Sequence, residues 1–179
     1  AVYNSSIFSF AEIFKEADEK MYADKTIENT NVKNKILESI IQKYFDVFPK
    51  KKTEVQMVIE LSRRFCLDLR LDEIVVNRIE KAALVYDIGN ISISKDYFDQ
   101  KRKLTEKETE QIQEHPASAF HILKNISDYV EVAEIVLCHH ENIDGSGYPR
   151  GLVDKQIPFE SKILALVTDY CAIRLERAY

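Results

Sequence analysis

The sequence predicts an all-α fold, a bundle of helices carrying one long glycine-containing loop. Three observations point there. Only four glycines and four prolines interrupt 179 residues, so long helices meet few breaks. Apolar residues recur at three- and four-residue spacing through most of the chain, the period of a helix with one buried face. No segment alternates apolar and polar residues as a half-buried strand does, and no internal repeat is visible.

Each element follows from local pattern. "SFAEIFKEADEKMYADK" (9–25) places Phe10, Ile13, Phe14, Ala17 and Met21 at helical spacing, with Ser9 and Glu12 as a start signal. The polar stretch 27–34 reads as a joint. From Val32 to Phe48 the stripe Leu37, Ile41, Tyr44 and Phe48 steps by four, three and four. Such a stripe suits two arrangements: a seam with the same helix of a second chain, giving a homodimer, or a helix packed on its own domain. Pro49 breaks the pattern and marks a boundary, and Lys50, Lys51 and Lys52 after it read as a solvated patch. The expected organisation is therefore a tail over 1–25, a linker helix over 26–50 and the main domain over 51–179. Within the latter, 53–69, 71–89, 104–126, 129–141 and 158–179 carry the helical period, and Thr105 with Glu108 forms a capping box.

Composition narrows the function. Apolar residues make up 45% and charged residues 31%, with a net charge of −5, so a general nucleic-acid binder with a basic face is not expected. No apolar run reaches membrane-spanning length. Cys66, Cys138 and Cys171 are odd in number and lack a Cys-x-x-Cys pair, which reads as reduced, buried thiols in a cytoplasmic protein.

Chemistry concentrates in "HHENIDGSGYPRGL" (139–152), which holds two of four histidines and three of four glycines. On an ideal helix the side chains of His139 and His140 diverge by about 100°, so the two are not expected to chelate one ion as an i, i+4 pair does. They could ligate two different ions, or one could ligate while the other donates a hydrogen bond, but an adjacent pair alone is more often packed or surface histidines. The loop after it is built for rigidity: Asp144 and Gly145 invite a tight turn, Gly147 permits positive φ, and Pro149 fixes the exit beyond Tyr148. His121 reads as an ordinary helix histidine.

These residues carry a family resemblance. "HHENIDGSGYPRGL" resembles the signature of HD-GYP domains, a branch of the HD superfamily of metal-dependent phosphohydrolases. "AALVYDIGNISI" (82–93), "LTEKETEQIQEHP" (104–116) and "IPFESKILALVTDYCAIRLERAY" (157–179) resemble further family blocks in the same order. The resemblance implies an HD-superfamily helical bundle, with hydrolysis of cyclic di-GMP at a site of two or three iron or manganese ions. It also implies that the family segment continues past Tyr179. Residues 9–25, through "EADEKMYADK", resemble the closing helix of a GGDEF domain, which makes a GGDEF domain in cis or in trans an expected partner.

The same resemblance marks departures. The HD dyad falls on Tyr86 and Asp87, so its histidine is missing, and the Glu and His expected before it fall near Lys50 and Glu54. His115, His139 and His140 match family ligands. The aspartate expected in the last helix falls on Thr168, a second on Cys171, and a frequent lysine on Asn90. Arg177 matches a position that contacts ligand phosphate. What survives as metal ligands is Asp87, His115, His139 and His140, with Glu54 as an outside candidate: enough for no metal or a single divalent ion, iron or manganese. Two close ions need bridging carboxylates to offset their repulsion. The expectation is a reduced module in cyclic di-GMP signalling that regulates or docks through Asp144, Gly145, Gly147, Tyr148 and Pro149. The alternative is a phosphodiesterase with an unconventional, reduced site in which Asp87 takes part in catalysis.

Overall fold

A computed structural model describes the backbone of residues 10–99 and 102–175, and side chains from residue 29 onward within those ranges. Its helices are α1 (Phe10–Val47), α2 (Lys51–Asp68), α3 (Glu73–Val85), α4 (Glu106–Ile112), α5 (His115–Leu123), α6 (Val130–Leu137) and α7 (Phe159–Arg174). Among the described residues there is no strand, only an isolated bridge between Asp144 and Val153. Ser9, the expected cap of the first helix, lies outside the described residues, and α1 then runs through the polar joint without a break.

The chain divides into two compact units, one ending at Ile36 and the other beginning at Leu37. In the second, α2 packs on α3 and α7, α3 on α6 and α7, and α5 on α6 and the 3₁₀ turn Ile88–Ser92. The core between them is aliphatic: Val58, Val76, Ile79, Leu123, Val132, Val136 and Leu164 are sealed from solvent, and such burial is the main term holding a helical bundle together. Cys66, Cys138 and Cys171 are buried and form no disulfide among the described residues, as the sequence indicated.

Of the two arrangements open to the linker stripe, packing on its own domain is the one found. The stripe Leu37, Tyr44 and Phe48 is buried in the core of this unit and Ile41 packs against it. Tyr44 and Phe48 make ring contacts at 5.3 Å, and Phe48 meets Phe98 edge-on. The apolar face is thus covered by the chain itself.

The expected helix 104–126 is two helices. Pro116 has no N–H to give to the Ile112 carbonyl four residues back, and its ring crowds that carbonyl, so α4 stops at Ile112 and α5 starts at His115. The capping box is present: the Glu108 N–H donates to Thr105 Oγ1 and the Thr105 N–H to the Glu108 carboxylate.

Candidate metal centre

Helix interruptions build this site. The Ile112 carbonyl, which Pro116 cannot satisfy, accepts instead from His115 Nδ1 at 2.8 Å. At the second break α6 ends at Leu137, leaving late carbonyls without helical partners. Val136 O accepts from His139 Nδ1 at 2.6 Å. A carbonyl can only accept, so both Nδ1 atoms carry the proton, and each neutral ring keeps its lone pair on Nε2. Both Nε2 atoms are buried and have no hydrogen-bond partner.

Because α6 stops before them, His139 and His140 are not on a helix. Their rings lie 4.0 Å apart, and ligand nitrogens of His115, His139 and His140 all fall within 4.8 Å of one another. This corrects the expectation that the neighbours diverge: the 100° rule needs a helix, and here the chain turns. Burial lowers the pKa of His115, and that of His139 far more, where the neighbouring histidines add to it. Neutral imidazoles with inward lone pairs are what a divalent ion requires. The three histidines fit one such ion.

Asp87 stands beside them. Its Oδ1 is 3.5 Å from His115 Nε2, and its Oδ2 accepts from Lys51 Nζ at 2.8 Å. Burial opposes its ionisation, but the Lys51 ammonium and the flanking histidines outweigh that and hold its carboxyl well below the usual range. The same ammonium donates to Glu54 Oε1 at 2.9 Å, and the Tyr86 hydroxyl donates to that oxygen at 3.0 Å. Burial, with Asp87 and Glu54 nearby, raises the Tyr86 phenol far above its ordinary value, so it is a donor and not a phenolate ligand. Gly89 sets the spacing: a Cβ there would lie 2.0 Å from the His115 carbonyl oxygen, so only glycine lets the turn after Asp87 press against the start of α5.

The loop closes over the cluster. Tyr148 is half-buried and stacks on His140 with centroids 4.8 Å apart, and its N–H donates to the His140 carbonyl. Asp144 Oδ1 accepts from the N–H and hydroxyl of Ser146. Gly145 takes a φ of +82°, whereas Gly147 does not have positive φ, contrary to expectation. Gly147 is needed for closeness: a Cβ would sit 2.2 Å from Asn142 N and 2.4 Å from Glu141 Cα. The Tyr148–Pro149 peptide is cis, and Pro149 is exposed. Glu141, buried, accepts from the N–H groups of Arg150 at 2.7 Å and Leu152 at 2.8 Å.

The structure thus brings together Asp87, His115, His139, His140, Tyr86 and Glu54. It does not add the other marked positions to the cluster. Thr168 donates to the Ala165 carbonyl of its own helix, Cys171 is in the apolar core, and Asn90 is buried with its Oδ1 unpaired. Asp169 is exposed, yet near enough to Tyr148 to help raise its phenol, behind burial and Asp87. His121 is exposed and outside the cluster, and Arg177 lies outside the described residues. Lys51 was missed. Its side chain is only 18% exposed, so the reading of all three lysines as solvated fails for this one. A lysine one helical turn before Glu54 was the available signal.

A family model described as "HD domain" matches residues 35–179. The chain belongs to the HD-domain family. Its all-helical HD domain is related to the HD-GYP cyclic di-GMP phosphodiesterases. It is 35% identical over 143 residues to a cyclic di-GMP phosphodiesterase of Thermotoga maritima, covering 79% of this chain and 38% of that protein. It is 39% identical over 113 residues to the cyclic di-GMP phosphodiesterase response regulator RpfG of Xanthomonas campestris, covering 62% of this chain and 30% of the relative. A 3'3'-cGAMP-specific phosphodiesterase of Vibrio cholerae is 35% identical over 101 residues, covering 56% and 22%. The matched part of this HD domain spans less than two fifths of each relative's length. No helix among the described residues is long and apolar enough to cross a membrane.

Proposed function

We propose that this HD domain is a cyclic dinucleotide phosphodiesterase module, of the cyclic di-GMP class, built around one divalent ion instead of a pair. The observation that carries the reading is the histidine cluster: two buried, unpartnered Nε2 atoms beside a third imidazole. The kinship with phosphodiesterases supplies the substrate class. His115, His139 and His140 would hold the ion, iron or manganese by family resemblance, with Asp87 Oδ1 next to it. Such an ion supplies Lewis acidity toward a phosphoryl oxygen and activates water at neutral pH. The protein's own groups do the rest. Backbone carbonyls fix two tautomers, Asp87 stays ionised, and Tyr148 packs against His140 and holds it in place.

The test is direct. The purified chain, loaded with Mn²⁺ or with Fe²⁺ under anaerobic conditions, should convert cyclic di-GMP or 3'3'-cGAMP to a linear dinucleotide. His139→Ala and chelator should each abolish this. Failure to take up metal and to form product would refute the reading.

A second reading has its own observation. Lys51 already pairs with Asp87, and the first residue of the dyad is Tyr86. These favour a regulatory module with little or no hydrolysis, which engages a GGDEF domain through the loop around Tyr148. Retained binding of an isolated GGDEF domain by a chain that forms no product would select this reading, and loss of that binding in Pro149→Ala would locate it on the loop.

A further inference from the structure

We propose that the Lys51 ammonium is a built-in cation that occupies the carboxylate side of this centre and limits it to a single metal ion. The inference rests on the reading that the histidine cluster takes one ion. Lys51 is the first residue of α2, and Glu54 follows it by one turn on the same face. Its Nζ lies 2.8 Å from Asp87 Oδ2 and 2.9 Å from Glu54 Oε1, so one positive group bridges carboxylates 33 residues apart in sequence. That is the electrostatic task of a bridged metal ion: a positive charge drawing two carboxylates together. Glu54 Oε1 is engaged a second time by the Tyr86 hydroxyl. An incoming divalent ion would have to displace the ammonium and break both contacts. If the ammonium stayed, the ion would face a like charge a few ångströms away with little solvent to screen it. On the histidine side the Nε2 atoms of His115 and His139 are buried without a hydrogen-bond partner, and ligand nitrogens of the three histidines lie within 4.8 Å of one another.

Removing Lys51 should therefore open a second position without touching a histidine. Isothermal titration of the metal-free chain with Mn²⁺, and with Co²⁺ followed by its ligand-field spectrum, counts ions and reports on their ligands. One ion per chain is expected for the parent and for Lys51→Arg. Lys51→Met should either bind a second ion or hold the first about tenfold more tightly, the size of change typical when a group beside a metal site is altered. Adding Asp87→Asn to Lys51→Met should abolish that gain. Circular dichroism checks that each variant is folded, and Lys51→Gln serves if Lys51→Met is not.

Two ions in the parent, or identical titrations of the parent and Lys51→Met, would overturn the role of Lys51 and leave the histidine site standing. No ion in the parent but one in Lys51→Met would do the reverse, keeping Lys51 as the guard of the carboxylates and rejecting the histidine site. No ion in any folded variant overturns both.

Discussion

Replacing Glu141 isolates what holds the loop shut. Its buried carboxylate takes two backbone N–H groups, from Arg150 at 2.7 Å and Leu152 at 2.8 Å. Hydrogen bonds to a charged acceptor are worth about 1.5–3 kcal/mol each, so Glu141→Ala has a ceiling of about 3–6 kcal/mol. Arg150 is exposed, and water can partly replace the lost acceptor there, which lowers the expected cost to about 2–4 kcal/mol. Glu141→Gln keeps one carbonyl oxygen but turns an NH₂ toward the other donor. It should cost less, about 1–3 kcal/mol. Urea titration gives the global value. Amide hydrogen exchange gives the local one, with protection at residues 150 and 152 lost first, since a loop can open without unfolding the bundle. If both variants match the parent within about 0.5 kcal/mol and exchange at 150 and 152 is unchanged, Glu141 is not the latch.

Three further outcomes are expected. Leu37→Ala should destabilise the domain by about 2–5 kcal/mol as a core truncation, with a denaturation midpoint independent of protein concentration; a midpoint that rises with concentration would restore the dimer seam. In chelator, stability should be full above about pH 6.5 and decline below it, because unfolded histidines protonate there while His115 and His139, with lowered folded values, stay neutral. The slope is at most about 1.4 kcal/mol per pH unit for each histidine, and a denaturation midpoint equal at pH 7.5 and 5.5 would contradict it. Tyr148→Ala should cost about 1–2 kcal/mol through a lost half-buried stack on His140, and Tyr148→Phe almost nothing; a loss above about 4 kcal/mol would put the ring in the core.

Much of the bundle is legible in the sequence because a 3.6-residue apolar period needs only a list of residues. What the period does not state is the identity of the surface on the other side. Leu37, Ile41, Tyr44 and Phe48 read as a buried face, which they are, but the same stripe fits a foreign helix or the chain's own core. The break between α4 and α5 was written in Pro116, and the apolar period carried across it hid the break. Three of the site's histidines were legible by resemblance. Their geometry was not, because an apolar period does not show that α6 ends at Leu137, before the two neighbours. Lys51 was hidden by its neighbours: three lysines in a row look solvated, and only the fold turns the middle one toward Asp87.

The end of α6 has a consequence reaching past this site. His139 and His140 meet because the helix stops at Leu137, so their convergence depends on where a helix terminates. A substitution that prolongs α6 by one turn would swing the two imidazoles to different sides of it and disperse the cluster with every histidine still present. The centre can therefore be dismantled by a change in helix propensity alone. A reader who inspects ligand identities would count such a variant as intact.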